Sequence, residues 1–367
     1  MRIGIVSPYS FDVPGGVQNH IMDLSEALIG LGHEVSVLAP ADEDADLPPY
    51  VVPAGRAVPL PYNGSVARIA FGPVSTARVR RWLARGKFDV LHVHEPMTPA
   101  IGVAALSFAR IPLVATFHAS GELAWMKLAT PVWGFLAERL DHRIAVSKDA
   151  ASSANKYLPC DYEVIPNGVA MPEQANPAAR ENRIVFVGRH EPRKGLQVLL
   201  RAWPEIRRQT GARLRIVGAD PLQVRLLLTR LRIPEDGIDA LGFVHEDERT
   251  SELLAAKAFA APSIGGKSFG MVLTEAFACA TPVVASNIPG YRDVMTAKTG
   301  VLVPPENPAA LAQALIDLLG DEPRRQSLGI GARERAHDFS WERIGRQLLS
   351  IYELAREEPH AALAAAG

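Results

Sequence analysis

The sequence has few cysteines, almost no net charge and no long apolar run. Cys160 and Cys279 are its only cysteines, and they lie far apart without metal-ligand spacing. This argues against a disulfide framework and against a zinc site. The formal net charge is −1, so attraction to nucleic acid or lipid would have to come from a local patch. No stretch approaches the roughly 20 apolar residues that cross a bilayer.

The N-terminal residues also lack the apolar core of a signal peptide. They carry one arginine and a four-residue apolar run before Pro8. We therefore expect a buried first strand and a cytoplasmic protein. If the protein works at a membrane, we expect it to lie on the surface.

Length and hydrophobic pattern predict two α/β domains. The chain has 367 residues, of which 48% are hydrophobic, and this is too long for one typical core. Short runs rich in Val and Ile alternate with segments of helical period, which is typical of βαβ units and parallel sheets. The predicted strands are Arg2–Val6, Glu34–Ala39, Val90–Val93, Leu113–Phe117, Arg143–Val146 and Glu163–Pro166 in the first half, and Arg183–Val187, Arg213–Val217, Ile238–Gly242, Lys257–Ala260 and Pro282–Ala285 in the second.

A linker is predicted between the two halves. The segment Met171–Arg183 contains prolines, asparagines and charges without periodicity. We expect an N-terminal domain over residues 1–170, a hinge over 171–182 and a C-terminal domain over 183–340. Apolar residues at helical spacing from Trp341 to Arg356 predict a final helix, at about 341–360, that crosses back to the first domain.

Two features of the first half suggest ligand contacts. Pro14, Gly15 and Gly16 follow the first strand, and glycines at a helix start let a phosphate approach the free N–H groups. A plain tight turn is an equally open interpretation, and the spacing differs from the G-x-G-x-x-G of dinucleotide enzymes. His118 comes just past a strand end, where ligands bind in open α/β sheets, although a structural histidine is also common there.

The second half carries a stronger anion signal. The run V-G-R-H-E-P-R-K-G from Val187 places Arg189, Arg193 and Lys194 at a strand end before a helix, a setting that suits a pyrophosphate. The run G-G-K-S-F-G-M-V-L-T-E from Gly265 then opens a helix that carries Glu275 about two turns along. A carboxylate there can accept hydrogen bonds from ribose hydroxyls. Alone, Glu275 would be a surface acid.

A basic segment predicts contact with a lipid surface. Thr76–Lys87 has no acid, and Val79, Trp82 and Leu83 share one side of a helix that arginines flank. This pattern favours anionic headgroups, and a solvated basic face over a domain core is the open alternative. Trp125–Leu140 is a second apolar candidate. The acids of Asp42–Asp46 are expected to be solvated, so no metal site is predicted. The residues predicted at the membrane are Arg78, Arg80, Arg81, Trp82 and Arg85.

Together these pieces resemble the retaining glycosyltransferases of family 4, whose fold is called GT-B. The fold consists of two Rossmann-like domains with parallel sheets that face each other across a deep cleft. The resemblance covers essentially the whole chain and is strongest to family members that transfer the first mannose to phosphatidylinositol. The matching runs are R-I-G-I-V-S-P-Y-S-F-D-V-P-G-G-V-Q from Arg2, P-Y-N-G-S-V-A-R from Pro61, F-D-V-L-H-V-H-E-P from Phe88, I-P-N-G-V from Ile165 and E-P-R-K-G from Glu191.

The resemblance implies a donor, an acceptor and a set of site residues. The donor would be GDP-mannose and the acceptor the inositol of phosphatidylinositol. The resemblance also implies a peripheral protein on the anionic inner face of the plasma membrane. His118 would lie beside the reacting sugar, and Glu275 would bind the ribose. The implied donor residues are Gly16, Arg189, Lys194, Lys267, Phe269, Gly270 and Glu275, and the implied acceptor residues are Tyr9, Asn63, Ser65 and Arg68.

The family mechanism implies front-face attack. The leaving diphosphate takes the acceptor proton, Arg189 and Lys194 stabilise its charge, and His118 positions the sugar; these three are the predicted catalytic residues. Closure about the hinge would exclude water. No cofactor is required on this interpretation, and magnesium would be at most stimulatory. Nothing in the sequence indicates nucleic-acid binding or an oligomeric state.

One position departs from the family pattern. Lys267 stands where family members carry the first of two glutamates eight residues apart, and an ammonium donates hydrogen bonds where a carboxylate accepts them. This leaves two alternatives to mannosyl transfer: a different donor sugar such as a uronic acid, or a catalytically silent homologue that binds nucleotide sugar or phosphoinositide. A nicotinamide oxidoreductase is disfavoured because no acid follows the second strand.

Overall fold

Two α/β units make up the structure, a computed structural model that describes residues 1–12, 15–62, 65–118, 134–173, 175–176, 180–265 and 270–358. The first unit contains Met1–Gly168 and the segment from Trp341 onward. The second unit contains Val169–Ser340. None of the described helices is both long enough and apolar enough to cross a membrane.

The first unit is built on a seven-stranded parallel sheet with the strand order β3-β2-β1-β6-β7-β8-β9. A separate antiparallel hairpin, β4-β5, precedes α2. The strands are β1 (Arg2–Val6), β2 (Glu34–Ala39), β3 (Val51–Pro53), β4 (Val58–Tyr62), β5 (Ser65–Ile69), β6 (Val90–His94), β7 (Leu113–Phe117), β8 (His142–Ala145) and β9 (Glu163–Val164). The helices are α1 (Gly16–Gly30), α2 (Pro73–Gly86), α3 (Ile101–Phe108) and α4 (Lys148–Asn155), with the C-terminal helix described below.

The second unit has a six-stranded parallel sheet with the order β12-β11-β10-β13-β14-β15. Its strands are β10 (Glu181–Val187), β11 (Arg213–Val217), β12 (Ile238–Gly242), β13 (Ala256–Ala261), β14 (Val283–Ser286) and β15 (Gly300–Val303). Its helices are α5 (Leu196–Thr210), α6 (Pro221–Leu231), α7 (Glu246–Ala255), α8 (Met271–Ala278), α9 (Pro289–Arg292), α10 (Pro308–Gly320) and α11 (Glu322–Ala336), with short 3₁₀ turns at Pro192–Lys194 and His337–Phe339. Helix α12 (Trp341–Glu357) then returns to the first unit.

Each sheet has one point where the strand order reverses. In the first sheet this point lies between β1 and β6, and in the second it lies between β10 and β13. At such a point the loops after the two central strands leave in opposite directions, which opens a crevice outside the carboxyl ends of the strands. Ligands of open α/β sheets bind in these crevices.

The predicted fold is confirmed, with corrections in detail. The two parallel sheets are present, and α12 belongs with the first unit as expected. Glu181 and Asn182 were assigned to the linker, but they form the start of β10. Strands β3, β4, β5 and β15 were missed. In β4 the two prolines, Pro59 and Pro61, remove ladder donors, which is why the run does not read as a strand.

The prediction that Trp82 faces a membrane is wrong. Helix α2 turns its apolar side inward, where Val79 and Trp82 are buried. The Trp82 ring lies 4.4 Å from that of Phe88, and its Nε1 donates a hydrogen bond to Ser36 Oγ at 2.9 Å. Burial of the indole, with its N–H paired, stabilises the core of the first unit. The outward face of α2 carries the arginines.

Two glycines at the ends of α5 differ in how closely the neighbouring backbone packs against them. Gly195 and Gly211 both have left-handed backbones, with φ of 72° and 63°. A Cβ on Gly195 would lie 1.8 Å from the carbonyl oxygen of Pro262, whereas one on Gly211 would meet nothing within 4 Å. We predict that Gly211→Ala costs only the backbone strain, about 1–2 kcal/mol.

Gly195→Ala should lower the melting temperature of the second unit by clearly more, because the loop carrying Pro262 must also move. Thermal unfolding of the two variants measures the difference. Equal melting temperatures for the two variants would show that the contact between Gly195 and Pro262 is not tight.

Candidate functional site

Four buried histidines lie together in the first unit. His92 and His94 are two residues apart on β6, so they point to the same side of the sheet. His118 directly follows β7, and the parallel register places Thr116 opposite His94. His20 reaches the group from α1. All four side chains are at most 8% exposed.

Hydrogen bonds join two of the histidines to each other and tie the group to neighbouring residues. His94 Nδ1 lies 2.8 Å from His118 Nε2, and the two rings stack at 24° with centroids 5.1 Å apart. His92 bonds to the Tyr352 hydroxyl and to Thr116 Oγ1, both at 2.7 Å. The N–H of His118 donates to Glu95 Oε1 at 2.5 Å, which fixes the backbone where the strand ends.

Burial keeps the imidazoles of this group neutral. It lowers the pKa of His20 from 6.5 to about 3, and burial together with neighbouring His20 lowers that of His92 to about 3 as well. Burial, together with the nearby histidines, also lowers the pKa of His94 and His118 well below 6.5. Each ring therefore carries one proton near neutral pH, and His118 is suited to hydrogen bonding and not to acting as an acid.

Three of these histidines, His20, His94 and His118, form the group among the described residues whose nitrogen atoms could hold a metal ion. One nitrogen of each of His20, His94 and His118 lies within 4.8 Å of the others. Two imidazole nitrogens on a tetrahedral metal are about 3.3 Å apart, from metal–nitrogen bonds near 2.05 Å. The 2.8 Å separation of His94 Nδ1 and His118 Nε2 is that of a hydrogen bond, so these two nitrogens are not placed to share a metal.

The loop after β1 meets the hairpin at the predicted acceptor residues. The N–H of Ser10 donates to the carbonyl oxygen of Arg68 at 2.8 Å, which brings Tyr9 and Arg68 to one place. The Arg68 side chain is exposed and that of Tyr9 is half-buried. Ser65 lies on β5 opposite Tyr62. Asn63 lies outside the described residues.

Helix α1 begins at Gly16, after the loop that leaves the carboxyl end of β1. Gly15 precedes it in an extended conformation, and no side chain among the described residues caps the helix. The first turn has no acidic residue. The start of a helix is a general site for an anion, because its first N–H groups have no intrahelical acceptor.

In the second unit, a basic turn follows β10. Glu191 lies between two guanidinium groups, with its oxygens 2.8 Å from Arg189 Nη2 and 2.6 Å from Arg193 Nη2. The turn continues through Lys194 into Gly195, where α5 begins. Arg189 remains exposed over two thirds of its side chain, at 66%, so it can contact a ligand.

The loop after the neighbouring strand β13 completes this site. The N–H of Ile264 donates to the carbonyl oxygen of Arg193 at 3.0 Å, which fastens the two loops together. Ser263 Oγ lies 2.8 Å from the buried Tyr291 hydroxyl. Gly270 has φ of 86° and a Cβ there would lie 2.9 Å from the Tyr291 ring, so glycine suits the start of α8. Lys267 and Phe269 lie outside the described residues.

Glu275 on α8 is a half-buried carboxylate in this site. Its Oε2 lies 3.2 Å from Arg249 Nε, yet this oxygen accepts no hydrogen bond from the described residues. Burial raises the pKa of Glu275, while Arg249 and Lys194 act in the opposite direction. The carboxylate is therefore held close to cations with acceptor capacity left for a ligand.

Comparison with known proteins connects these two sites to a family. A family model described as Glycosyltransferase Family 4 matches residues 14–173, and one described as Glycosyl transferases group 1 matches residues 181–321. The phosphatidyl-myo-inositol mannosyltransferase of Mycolicibacterium smegmatis is 43% identical over 96% of this chain and 94% of its own length. That of Propionibacterium freudenreichii is 38% identical over 97% and 95%.

The chain is a family 4 glycosyltransferase. Solved structures agree on the GT-B fold: Anabaena HepE in complex with UDP gives a TM-score of 0.73 at 20% identity, covering 96% of this chain and 100% of that one. Sucrose-phosphate synthase from Thermosynechococcus elongatus gives 0.73 at 22% identity, covering 96% and 98%. The family and the fold that the sequence resemblance implied are confirmed.

The structure of the glycosyltransferase assembles part of each predicted residue set. It brings Arg189, Lys194, Gly270 and Glu275 to the carboxyl ends of β10 and β13, and Tyr9 and Arg68 to that of β1. Sequence reasoning missed His20, His92 and His94. The run L-H-V-H at the end of a predicted strand was a usable signal for two of them. Arg249 had none, because it reaches Glu275 only through the packing of α7 on α8.

Neutral burial of the histidines predicts a pH-dependent stability. Because the pKa of His92 is about 3 when folded and 6.5 when unfolded, its contribution is fully present above pH 6.5 and is lost as pH falls toward 3. His92→Gln should reduce the loss of unfolding free energy between about pH 7.5 and about pH 5.5 by about 1.4 kcal/mol. Denaturant unfolding at the two pH values measures it.

His245→Gln, which changes an exposed histidine of the second unit, is the matched control. It should leave the pH dependence as in the natural chain. The same pH dependence in His92→Gln and the natural chain would contradict a buried, neutral His92.

Proposed function

We propose that this glycosyltransferase moves a mannosyl residue from GDP-mannose to the inositol ring of phosphatidylinositol at a membrane surface. The relatives that share 38–43% identity over nearly the full chain carry the name phosphatidyl-myo-inositol mannosyltransferase. The observation that carries the proposal is the site of the second unit, where a basic turn and a half-buried carboxylate with an unused acceptor oxygen lie at the carboxyl ends of β10 and β13.

This site suits a nucleoside diphosphate. Arg189 and Lys194 offer cationic donors, and the free N–H groups at the start of α5 add a positive helix end. Glu275 Oε2 can accept from ribose hydroxyls, and the nearby Arg249 favours the ionised form of the carboxylate against the effect of burial. Structural neighbours of the same fold were solved with UDP and UDP-glucose, which supports a nucleotide-sugar donor.

The neutral state of His118 limits what it can do in the reaction. An imidazole with a strongly lowered pKa gives no proton at neutral pH, but it donates or accepts a hydrogen bond. We therefore assign His118 to positioning the sugar. In front-face transfer the bond from the anomeric carbon to the diphosphate oxygen breaks as the bond to the inositol oxygen forms, and the inositol proton passes to the departing diphosphate. Arg189 and Lys194 stabilise the charge on that diphosphate.

For the acceptor, the loop and hairpin of the first unit provide the best-supported contacts. The exposed Arg68 guanidinium can form paired hydrogen bonds with the phosphate of the lipid, and the backbone bond between Ser10 and Arg68 keeps the loop of Tyr9 next to this strand. Asn63 and Ser65 keep the acceptor role that the family resemblance implies.

The lipid surface would contact the outward side of α2 and the neighbouring α3. Arg80, Arg81 and Arg85 are exposed, while Arg78 is paired with Glu43. A pocket of about 880 Å³ lies between α2 and α3, and the rings of Phe108 and Phe135, 43% and 67% exposed, line it. The Arg80 guanidinium lies 5.1 Å from the centroid of Phe108. These two phenylalanines would supply the apolar contact that had been assigned to Trp82.

Lys267 leaves two other functions to be tested against this one. Its ammonium could pair with the carboxylate of a uronic acid donor, or it could prevent turnover in a protein that only binds nucleotide sugar or phosphoinositide. Both alternatives keep the donor site of the second unit and change only the chemistry at the sugar.

The test is product formation, followed by mass spectrometry of the lipid. Phosphatidylinositol vesicles are offered GDP-mannose, UDP-glucose, UDP-N-acetylglucosamine or UDP-glucuronate separately. We expect one hexose to be added from GDP-mannose alone. Product from UDP-glucuronate would replace the proposed donor, and product from GDP-mannose only in Lys267→Glu would mean that the natural chain has lost the reaction.

Two neighbouring acids provide the matched variants for this assay. Glu275→Gln should raise the KM for the donor by about tenfold or more, since it removes a charged acceptor worth roughly 1.5–3 kcal/mol. Glu246→Gln changes the other, more exposed carboxylate near Arg249, 3.6 Å away, and should leave the KM unchanged. Equal effects would argue against contact between Glu275 and the donor.

Membrane binding is predicted to depend on the outward arginines of α2. Reversing two charges, in Arg80→Glu with Arg85→Glu, should weaken binding to vesicles containing phosphatidylinositol by at least roughly tenfold, because each arginine at an anionic surface contributes about 1 kcal/mol. Co-sedimentation measures the binding, and higher salt should reduce it in the natural chain.

Arg225→Glu with Arg230→Glu is the control for this variant. These exposed arginines have the same spacing on α6 of the second unit. Binding lost equally in both double variants would indicate a general charge effect and not a membrane-binding face on α2.

A further inference from the structure

The hydrogen bond between His94 and His118 is not used in the transfer described above. The Nδ1 of His94 lies 2.8 Å from the Nε2 of His118, deep in the first unit. His94 is fully buried and His118 is 8% exposed. Which of the two rings donates this bond decides which nitrogen of His118 carries its proton.

Both rings are neutral, so only one hydrogen lies between them. Burial and the surrounding histidines lower the pKa of each well below 6.5. A neutral imidazole has one N–H and one bare nitrogen. Either His94 donates through Nδ1, or His118 donates through Nε2.

The other nitrogen of His94 distinguishes the two arrangements. His94 Nε2 is buried and has no hydrogen-bond partner among the residues described. If His118 donated, the proton of His94 would have to lie on this Nε2, which would leave a buried N–H unpaired. If His94 donates, only a lone pair is left unpaired there. Unpaired buried N–H groups are the rarer of the two in folded proteins.

Packing prevents the pair from rearranging freely. The His20 ring meets the His118 ring edge-on at 76°, with centroids 4.8 Å apart. The rings of His92 and His94 have centroids 4.2 Å apart. The N–H of His118 is fixed to Glu95, whose own backbone has φ of 46°. These contacts hold the rings of His94 and His118 in their present orientation.

We propose that His94 is a positioning residue that donates its Nδ1–H to His118 Nε2 and thereby fixes His118 as the Nδ1–H tautomer. His118 then offers the reacting sugar a hydrogen-bond donor and not an acceptor. The contact between His118 and the sugar rests on the proposed function, whereas the tautomer of His118 does not. A hydroxyl oxygen of the bound sugar, through its lone pairs, would be the matching acceptor.

The tautomer can be measured directly in the full chain. Nitrogen-15 NMR of histidine-labelled protein distinguishes a protonated ring nitrogen from a bare one, and the His118 signals are assigned by their loss in His118→Asn. We expect Nδ1 to be protonated and Nε2 bare, without any ligand present. Protonation of His118 on Nε2 would overturn the proposal, whether or not the chain transfers mannose.

Two substitutions of His94 test the positioning role through kcat. The amide nitrogen of His94→Asn falls near the position of Nδ1, so this variant should keep the tautomer and most of the activity. His94→Leu removes the donor, and we expect it to lower kcat by about 10–100-fold, as loss of an orienting partner does. NMR of His94→Leu should show His118 protonated at Nε2 in part.

Tyr352→Phe is the control for a loss that is only structural. It removes the hydroxyl bonded to His92, in the same cluster but without contact to His118. We expect a similar loss of thermal stability with no change in the tautomer of His118 or in kcat. A kcat reduced equally in His94→Leu and Tyr352→Phe, or not restored in His94→Asn, would overturn the positioning role.

Discussion

The parallel pairing of β1 with β6 and of β10 with β13 is the constraint on which both candidate sites depend. In each sheet the strand order reverses between these two strands, so that the loops leaving their carboxyl ends diverge and open a crevice. Residues far apart in the sequence then come together: the loop of Tyr9 with Arg68 in one unit, and Lys194 with Glu275 in the other. The glycines at positions 195 and 270 allow the loops to approach closely, because a Cβ at either would collide with a neighbour.

Burial then decides which chemistry each site can carry out. In the first unit it keeps four imidazoles neutral, which leaves hydrogen bonding as the role of His118. In the second unit it leaves a carboxylate oxygen without a hydrogen bond beside several cations, which suits the hydroxyls and phosphates of a nucleotide. Under the proposed function, proton transfer is left to the substrates themselves, which agrees with attack on the face of the departing diphosphate.

Much of this was predictable from sequence because it depends on local pattern. The strand runs, the glycine turns and the cations of residues 187–195 lie in continuous segments. The family resemblance implied which ligands they bind, but only as far as it matched residue by residue. Trp82 was misassigned because periodicity shows which residues share a helix face but not whether that face turns inward. Arg249 and His20 were missed because they reach their sites through the packing of separate helices. The hairpin β4-β5 was missed because its prolines hide a strand.

The central claim is that the donor binds the second unit and the acceptor the first. Hydrogen exchange of the full chain with GDP-mannose, and separately with a soluble inositol phosphate, tests it most directly. The account predicts that GDP-mannose slows exchange mainly at residues 188–195 and 270–275, and that inositol phosphate slows it around Tyr9 and in the hairpin with Arg68. Protection by GDP-mannose confined to the first unit would contradict the account.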